Sequence, residues 1–448
     1  MKILLISPNR LNSPYPVYPL GLDYVSGAVS KMHDVKILDL NTVGGHGGLG
    51  EAIGEFSPDL IGISLRNVDN TDSSDPKGFI KEFRKLTSII RIYSKARIVL
   101  GGSGFTIFHR EILDELEADF GIVGEGERFS LLIDAIEKKT GTDGIPGVIS
   151  GSGKGKLPAP LKKIPKRNFS RNFDHLDYYL TKGGMLNLQT KRGCRFRCIY
   201  CTYPHIEGGT LRHIPPREVA KTALSLQEAG ARYFFITDSV FNSDCDHSMA
   251  VAEEFKQAGV SIPWGAFFAP IKPPDDYYKI MSDAGLKHVE FGTESLTDRV
   301  LSFYRKPFRV ENIFASHSAA VAAGLNVAHY FLFGGPGETE ATLRETLLNV
   351  DKLKETVLFF FCGMRIYPHT ALYDIAIREG CISKSQNLLE PVFYKGKVGT
   401  EKIISMVKAA KKDRINWVIG SGGEDVSETV SKMYERGFTG PLWEYLIR

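Results

Sequence analysis

Residues 194–201 read CRFRCIYC and hold three of the six cysteines of this 448-residue chain. An apparent strand at residues 185–190 ends just before them, so the thiolates of Cys194, Cys198 and Cys201 can curl around one metal centre. A cubane of four irons needs four ligands, and three cysteines leave one iron open. The amine and carboxylate of an amino acid can chelate that iron. The spacing therefore predicts a 4Fe-4S cluster with one open position.

Zinc is the competing metal for these thiolates. A structural zinc site needs a fourth Cys or His ligand at paired spacing, and His205 is the only near candidate in the sequence. Cys245, Cys362 and Cys381 are distant, in apolar or helical contexts, and we expect them to be buried structural residues. Six cysteines with three of them inside eight residues are unlike a disulfide framework and are typical of a metal site in a reducing compartment. We therefore expect a cytoplasmic location.

Upstream of the cysteines, short β-branched runs alternate with helical stretches and end in loops rich in Gly, Asn, Asp or Pro. This pattern predicts a doubly wound, Rossmann-like α/β domain. Its strands are expected at residues 2–7, 35–40, 60–65, 97–101 and 120–123. Ligands of such sheets lie at the carboxyl ends of the strands, where the loops lie close together.

A second alternation follows a stretch rich in Gly, Lys and Pro at residues 151–166 and predicts a partial (β/α)6 barrel. Its strands are expected at residues 185–190, 232–237, 263–268, 288–292, 327–333 and 358–364. The expected domains are residues 1–150, a linker at 151–184, the barrel at 185–385 and a small C-terminal unit at 386–448.

The three-then-two spacing of the cysteines, with Tyr200 before the last one, resembles the radical S-adenosylmethionine (SAM) superfamily. Four further stretches fit that family in order: TDSVFN at 237–242, EFGTES at 290–295, FGGPGE at 333–338 and IYPHT at 366–370. The resemblance implies that SAM contacts Tyr200 near its adenine and Glu294 near its ribose. It also implies SAM contacts at Asp238, Ser239, Gly334 and Gly335.

The upstream domain resembles the cobalamin-binding domain that precedes many radical SAM barrels. The resemblance rests on PLGLDY at 19–24, GGS at 101–103 and GEGE at 124–127, since glycine lets strand-end loops lie against a flat corrin. A generic nucleotide-binding domain is the alternative, but no Gly-x-Gly-x-x-Gly follows the first strand. The implied cobalamin contacts are Pro8, Asn9, Arg66, Asn67, Gly101, Gly102, Ser103, Gly124, Glu125 and Gly126.

The Asp-x-His-x-x-Gly motif that supplies an imidazole to cobalt in other cobalamin proteins is absent from residues 1–150. His33, His46 and His109 stand outside any such setting. Arg66, directly after the third strand, is the candidate for the lower face of cobalt, where a cation disfavours bound water. The competing interpretation pairs Arg66 with Asp69 or Asp72.

The chain has 56 Lys and Arg against 52 Asp and Glu, spread along its length, which gives no case for nucleic acid or a membrane surface as a partner. The apolar run at residues 1–7 is too short to span a membrane. It is expected to form a buried strand.

Together the two resemblances imply a cobalamin-dependent radical SAM methyltransferase that moves a methyl group from SAM through methylcobalamin to an unactivated carbon. Arg66, Tyr200 and Glu294 are its expected catalytic residues. The expected partners are an external low-potential electron donor and a substrate, with a slight lean to a peptide or protein side chain over a small molecule. A cyclase or isomerase acting on a small metabolite, and a cobalamin and iron–sulfur sensor without catalysis, stay as alternatives. The substrate cavity is expected where the loops of Arg66 and Gly102 meet the barrel mouth near Cys201 and Glu294.

Overall fold

The computed structural model of the chain describes residues 1–12, 15–151, 158–170, 172–420 and 423–447. Its strands are β1 Lys2–Ser7, β2 Asp34–Asp39, β3 Leu60–Ser64, β4 Arg97–Gly101, β5 Phe120–Ile122, β6 Val148–Ser150, β7 Met185–Leu188, β8 Lys191–Arg192, β9 Arg212–His213, β10 Tyr233–Ile236, β11 Trp264–Phe268, β12 Leu286–Glu294, β13 Asn326–Phe333, β14 Thr356–Cys362 and β15 Trp417–Ile419.

The helices are α1 Leu20–Ala28, α2 Leu49–Phe56, α3 Ile80–Tyr93, α4 Ser103–Ile107, α5 His109–Glu115, α6 Phe129–Glu137, α7 Leu176–Thr181, α8 Tyr203–Ile206, α9 Pro216–Glu228, α10 Cys245–Ala258, α11 Tyr277–Asp283, α12 Asp298–Phe303, α13 Val310–Ala322, α14 Glu340–Asn349, α15 Ala371–Arg378, α16 Thr400–Lys411 and α17 Gly423–Glu435. No helix among the described residues combines the length and apolar composition needed to cross a bilayer.

The first sheet has the strand order β2-β1-β3-β4-β5-β6, with only β6 antiparallel to its neighbour. Strand β1 is buried on both faces: Ile3 and Leu5 pack in one hydrophobic cluster, and Leu4 and Ile6 pack in another. Two covered faces are typical of a doubly wound sheet, which confirms the predicted class. The order reverses between β1 and β3, so the crevice at their carboxyl ends is the expected ligand site.

The second sheet has seven parallel strands in the order β15-β14-β13-β12-β11-β10-β7. Six of these are the predicted barrel strands. On β12, Val289 and Phe291 pack outward in a hydrophobic cluster that also holds α9 and α10 residues such as Ala223 and Val251. Alternate residues of the same strands therefore point to the inner face of the sheet.

The C-terminal tail is not the separate small unit expected for residues 386–448. Its strand β15 pairs with β14, and Trp417 packs on Phe360 with ring centroids 4.7 Å apart. Burying this tryptophan against the sheet stabilises the tail as part of the barrel domain. The three-residue strand is too short to show a period in the sequence.

The expected linker is partly structured. Residues 152–157 and 171 lie outside the described part of the chain. Elsewhere in the linker, the Arg167 Nε donates to Asp23 Oδ2 of the first domain at 2.7 Å, and its guanidinium also donates to the Asn187 carbonyl oxygen of β7 at 2.7 Å. The linker thus fastens the two sheets to each other.

Candidate active site

The cysteine loop begins after β8 at Gly193, whose φ is +92°. A Cβ at this position would collide with the carbonyl oxygen of Thr210, so the turn into Cys194 requires glycine. The Cys194 N–H then donates to the Gly208 carbonyl oxygen at 3.1 Å. These contacts hold the start of the cysteine loop against residues 208–210.

All three predicted cluster cysteines line one pocket of about 270 Å³. Their thiols are free, and burial raises the pKa of Cys201 to about 12 and also raises the pKa of Cys198. Three soft sulfur donors around one pocket fit an iron–sulfur cluster, which binds them as thiolates.

No group of three or more His, Cys, Asp or Glu side chains among the described residues converges on a single metal ion. The sulfurs of a cubane each bind a different iron, so a cluster does not require that convergence, whereas zinc does. The ring of His205 instead stacks on His369, with centroids 4.2 Å apart. This geometry disfavours the zinc alternative.

Tyr200 and Glu294, predicted to contact SAM, lie together beside the cysteines. The Tyr200 hydroxyl donates to Glu294 Oε1 at 2.6 Å, and the Lys306 Nζ donates to the same oxygen at 3.0 Å. Burial lowers the pKa of Lys306, but the charge and hydrogen bond of Glu294, together with the nearby Cys198 and Cys201, raise it by more, so the net shift is upward. Lys306 was not predicted from the sequence, because no spacing links it to Tyr200.

Asp238 and Ser239, also predicted to contact SAM, brace the cysteine loop. Asp238 accepts from the Thr190 N–H at 2.8 Å and from the Lys191 Nζ at 2.9 Å, with all three residues fully or almost fully buried. The Ser239 hydroxyl donates to the Gly193 carbonyl oxygen at 3.1 Å. These partners occupy the side chains, and contact with SAM stays a prediction.

The predicted glycine turn after β13 is also held internally. The Gly334 N–H donates to Glu338 Oε2 at 2.5 Å, and the Gly335 N–H donates to the Tyr304 hydroxyl at 3.1 Å. Burial raises the pKa of Glu338 to about 7. Contact of Gly334 and Gly335 with SAM stays a prediction.

A larger cavity, of about 1150 Å³, opens at the carboxyl ends of the first sheet. Every predicted cobalamin-contact residue except Pro8 lines it: Asn9, Arg66, Asn67, Gly101, Gly102, Ser103, Gly124, Glu125 and Gly126. Pro8 is buried and is not among the lining residues. The barrel side of the cavity includes Asn187, Gln189, Thr202, Tyr203, Phe235, Thr237 and Phe267.

The cavity is close to where it was expected but not identical. Cys201 and Glu294 are not among its lining residues, whereas Thr202 and Tyr203, the two residues after Cys201, are. The cysteine loop therefore contributes to both pockets, with its thiols in one and its next two residues in the other.

Glycine backbone shapes the first-domain side of this cavity. Gly102 has a φ of +99°, and a Cβ there would lie 2.6 Å from the Leu65 carbonyl oxygen. Gly124 also has a positive φ, +81°. At these two glycines no Cβ stands between the backbone and the cavity, so the backbone can approach a broad flat ligand such as a corrin closely.

Glu125 lines the cavity and also forms ion pairs with the barrel domain. Its Oε1 accepts from Arg212 at 2.7 Å and from Arg192 at 3.0 Å, and both arginines belong to the barrel domain. Burial would raise the pKa of Glu125, but these bonds and one from the Leu161 N–H lower it. The residue joins the first sheet to the β8–β9 hairpin, and a cobalamin contact by it stays a prediction.

Arg66 lines the cavity and is half-buried, and burial lowers its pKa from the ordinary value. Within the described part of the chain its guanidinium has no hydrogen-bond or ion-pair partner. Neither expected partner pairs with it among the described residues: Asp69 pairs with Arg365 at 2.9 Å, and Asp72 accepts from the Ser74 N–H at 2.8 Å. The competing interpretation of Arg66 as a surface ion pair is therefore wrong.

The histidines of the first domain lie away from this site. His33, His46 and His109 are absent from the described lining of the cavity. His109 Nδ1 lies 3.2 Å from the Thr106 carbonyl oxygen, and His33 Nδ1 lies 3.5 Å from Glu137.

Residues 188–350 match the Radical SAM superfamily, and residues 6–132 match the B12 binding domain. The chain belongs to the cobalamin-dependent radical SAM family. Its cofactors are a 4Fe-4S cluster, SAM and cobalamin. Both matches agree with the sites found above, since the first spans the cysteines and the second spans the strand-end loops of the cavity.

Known members of the family resemble the chain along most of its length. Cytidylyl-2-hydroxyethylphosphonate methyltransferase of Streptomyces wedmorensis is 24% identical, covering 88% of this chain and 85% of its own. Tryptophan 2-C-methyltransferase of Streptomyces laurentii is 22% identical, and the match covers 85% of this chain and 75% of that protein. Both of these relatives are named methyltransferases, and this chain is a radical SAM methyltransferase.

A solved structure shows the same fold. The radical SAM methyltransferase TsrM from Kitasatospora setae, with tryptophan substrate and the SAM analogue aza-SAM bound, has a TM-score of 0.88 and 22% identity. The match covers 99% of this chain and 97% of that one. At this identity the likeness establishes the two-domain fold.

Proposed function

We propose that this radical SAM protein methylates a carbon atom of a small molecule held in the cavity between its domains. The observation that carries the proposal is the shared lining of that cavity. Arg66 and the glycine loops approach it from the first sheet, and Thr202 and Tyr203 approach it from the cysteine loop. A substrate bound there can contact both cofactor sites at once. Methyl transfer needs that placement, because the reacting groups must be held close together in one geometry.

The bound cofactors supply a methyl carrier at cobalt and a radical source at the cluster. The side chains of the protein hold these cofactors in position. Cys194, Cys198 and Cys201 hold the cluster, and the Tyr200, Glu294 and Lys306 group lies beside it to bind SAM. Arg66 is the residue that we propose faces the lower side of cobalt, where its charge would keep water from binding.

A small molecule fits the cavity better than a peptide side chain. The cavity lies between two domains that are fastened by Glu125, Asp69 and Arg167, each in buried ion pairs. The TsrM structure contains tryptophan as substrate, which is also a small molecule. Product mass separates methylation from ring closure or rearrangement, since only methylation adds a methylene.

The second partner that we propose is an external low-potential electron donor, acting in the cytoplasm. Arg195, Arg197 and Arg305 line the pocket of the cluster cysteines, and all three are exposed. None has an ion-pair partner within the described residues. An acidic carrier protein would meet a complementary surface at this point.

The proposed function is tested by anaerobic incubation of the reconstituted protein with SAM, a reductant and candidate small molecules. We expect one molecule to gain a methylene's mass, and Cys198→Ser to abolish both the cluster absorption and the product. Cys381→Ser is the matched control, because Cys381 lies outside the cluster pocket and should retain both. Loss of the cluster without loss of product would contradict the proposal.

A further inference from the structure

The inner face of the barrel sheet carries a row of aromatic side chains, which we call the aromatic wall. Its members are Phe235 of β10, Phe267 of β11, Tyr330 of β13, and Phe359 and Phe361 of β14. Their strand neighbours point the other way into the helix-covered cores: Phe234, Phe268, Phe331 and Phe360 are each at most 1% exposed. Strand alternation therefore places all five rings of the wall on the inner side.

The rings of the wall touch in sequence across the sheet. Phe235 and Phe267 lie edge to face at 5.0 Å, and Phe267 lies edge to face with Tyr330 at 6.3 Å. Tyr330 is stacked with Phe359 at 4.7 Å and with Phe361 at 6.2 Å. Phe235 and Phe267 also line the large cavity, so the wall continues from it.

Phe267 is 41% exposed, although it stands on an interior barrel strand. A phenylalanine ring left open to a cavity is apolar area that a ligand can cover with a gain in stability. The exposed ring marks the place where the wall is incomplete without a ligand.

Tyr330 presents its ring to the interior rather than its hydroxyl. The hydroxyl donates to Glu290 Oε2 at 2.9 Å, and the Trp443 indole N–H donates to Glu290 Oε1 at 3.0 Å. Glu290 thereby fixes the tilt of Tyr330 and is itself covered, being 2% exposed. The wall is apolar as a result.

We propose that the aromatic wall binds a flat, uncharged aromatic ring of the substrate, packed against Phe267. This inference rests on the proposed function and names the substrate class. Aromatic walls also bind cations, but two features oppose that use. Arg66 carries an unpaired positive charge into the same cavity, and both oxygens of Glu290 are already engaged by hydrogen-bond donors.

The test measures binding to the protein loaded with cluster and cobalamin in the absence of SAM, by calorimetry. The probes are L-phenylalanine and 3-cyclohexyl-L-alanine, which share a backbone and differ in the aromaticity of the ring. We expect the aromatic probe to bind about 2- to 12-fold more tightly, the range of an aromatic pair contact. Phe267→Leu should remove that preference, because leucine keeps the apolar contact and loses the ring.

Phe303→Leu is the matched control, since Phe303 is an exposed phenylalanine on α12 and lies outside the cavity lining. It should keep the preference for the aromatic probe. Equal affinities, tighter binding of the saturated probe, or no binding of either would overturn the inference. Tighter binding of tetramethylammonium than of either probe would overturn it in favour of a cation cage.

Conversion of SAM to S-adenosylhomocysteine by the wild-type protein is measured separately, because it tests the proposed function alone. If the wild-type protein does not convert SAM but still binds the aromatic probe more tightly, methyl transfer is refuted and the ring site is retained. Intact conversion without ring preference would refute the ring site only.

Discussion

Asp69, on the loop after β3, and Arg365, just after β14, form a buried ion pair that joins the two domains, with Arg365 Nε 2.9 Å from Asp69 Oδ2. Their side chains are 0% and 4% exposed. The other carboxylate oxygen accepts from the Thr71 N–H at 2.9 Å and from the Tyr367 hydroxyl at 3.3 Å. Because Asp69 is three residues from Arg66, this pair sets where the Arg66 loop stands against the barrel.

Asp69→Ala should lower the stability of the protein strongly. The substitution leaves the Arg365 charge buried without its partner, which costs about 3–5 kcal/mol in comparable sites. The urea midpoint of the unfolding transition measures the loss. Lys279→Ala, which breaks an exposed pair with Asp283, should leave the midpoint nearly unchanged. Equal midpoints for the two variants would contradict a stabilising role for the domain pair.

Arg66→Ala should change the cobalt site without unfolding the protein. If the guanidinium faces the lower side of cobalt, its removal lets water bind there. The electron paramagnetic resonance spectrum of bound cobalt(II) cobalamin should then shift to a water-ligated form, and methyl transfer should fall about 10- to 100-fold. Arg66→Lys should recover part of both, because it keeps the charge. Lys85→Ala, an exposed lysine of α3, serves as control, and an unchanged spectrum in Arg66→Ala would refute the assignment.

Most of the fold could be predicted from local pattern. The eleven predicted strands begin and end within about two residues of their observed bounds, because buried parallel strands form continuous apolar runs between turn residues. The three-residue strands β6 and β15 were not predicted. The cysteine pocket and the strand-end loops of the cavity followed from spacing and from glycine positions. These features depend on residues close together in the sequence, where periodicity and turn chemistry are informative.

The remaining features depend on contacts between distant residues. Lys306 contacts Glu294 and Tyr200 across 12 and 106 positions of the sequence, and Arg365 pairs with Asp69 across 296 positions. The resemblances implied that Asp238 and Glu125 contact cofactors. In the fold Asp238 pairs with Lys191, and Glu125 pairs with Arg192 and Arg212. No single-sequence pattern shows these pairings.

Glu290→Gln should flatten the pH dependence of stability between about pH 4.5 and 7. Burial raises the pKa of Glu290 from 4.5 to about 7, so in this window the folded protein keeps a proton that the unfolded chain releases. The contribution of Glu290 to stability is therefore largest below its unfolded-state pKa of 4.5. It is lost as the pH rises through the folded-state pKa of about 7, by on the order of 3 kcal/mol. Urea unfolding at several pH values measures the slope.

Glutamine cannot release a proton, so the part of that slope due to Glu290 should disappear in the variant. A residual slope of the same sign is expected, because burial also raises the pKa of Glu338 to about 7. Glu228→Gln, an exposed residue at the end of α9, should keep the full wild-type slope. A Glu290→Gln slope equal to that of wild type would show that Glu290 is ionised across the window.

Charge reversal at the cluster pocket should slow electron delivery from an acidic carrier. In the triple variant Arg195→Glu, Arg197→Glu and Arg305→Glu, the exposed positive charges around the cysteines become negative, so an acidic partner is repelled where it was attracted. We expect the bimolecular rate of cluster reduction by a reduced flavodoxin to fall at least about tenfold at low salt, and the salt dependence to change sign.

Bleaching of the cluster absorption in a stopped-flow experiment measures this rate. Reduction by titanium(III) citrate, a small anionic reagent that needs no docking surface, should slow less in the triple variant than reduction by flavodoxin. The difference between the two losses isolates the contribution of docking. The matched control, Lys81→Glu, Lys85→Glu and Lys95→Glu, reverses three exposed charges on or next to α3, away from the cysteine pocket. If it slows the flavodoxin reaction as much as the arginine triple does, net charge rather than a docking surface governs the encounter, and the arginines lose their assigned role.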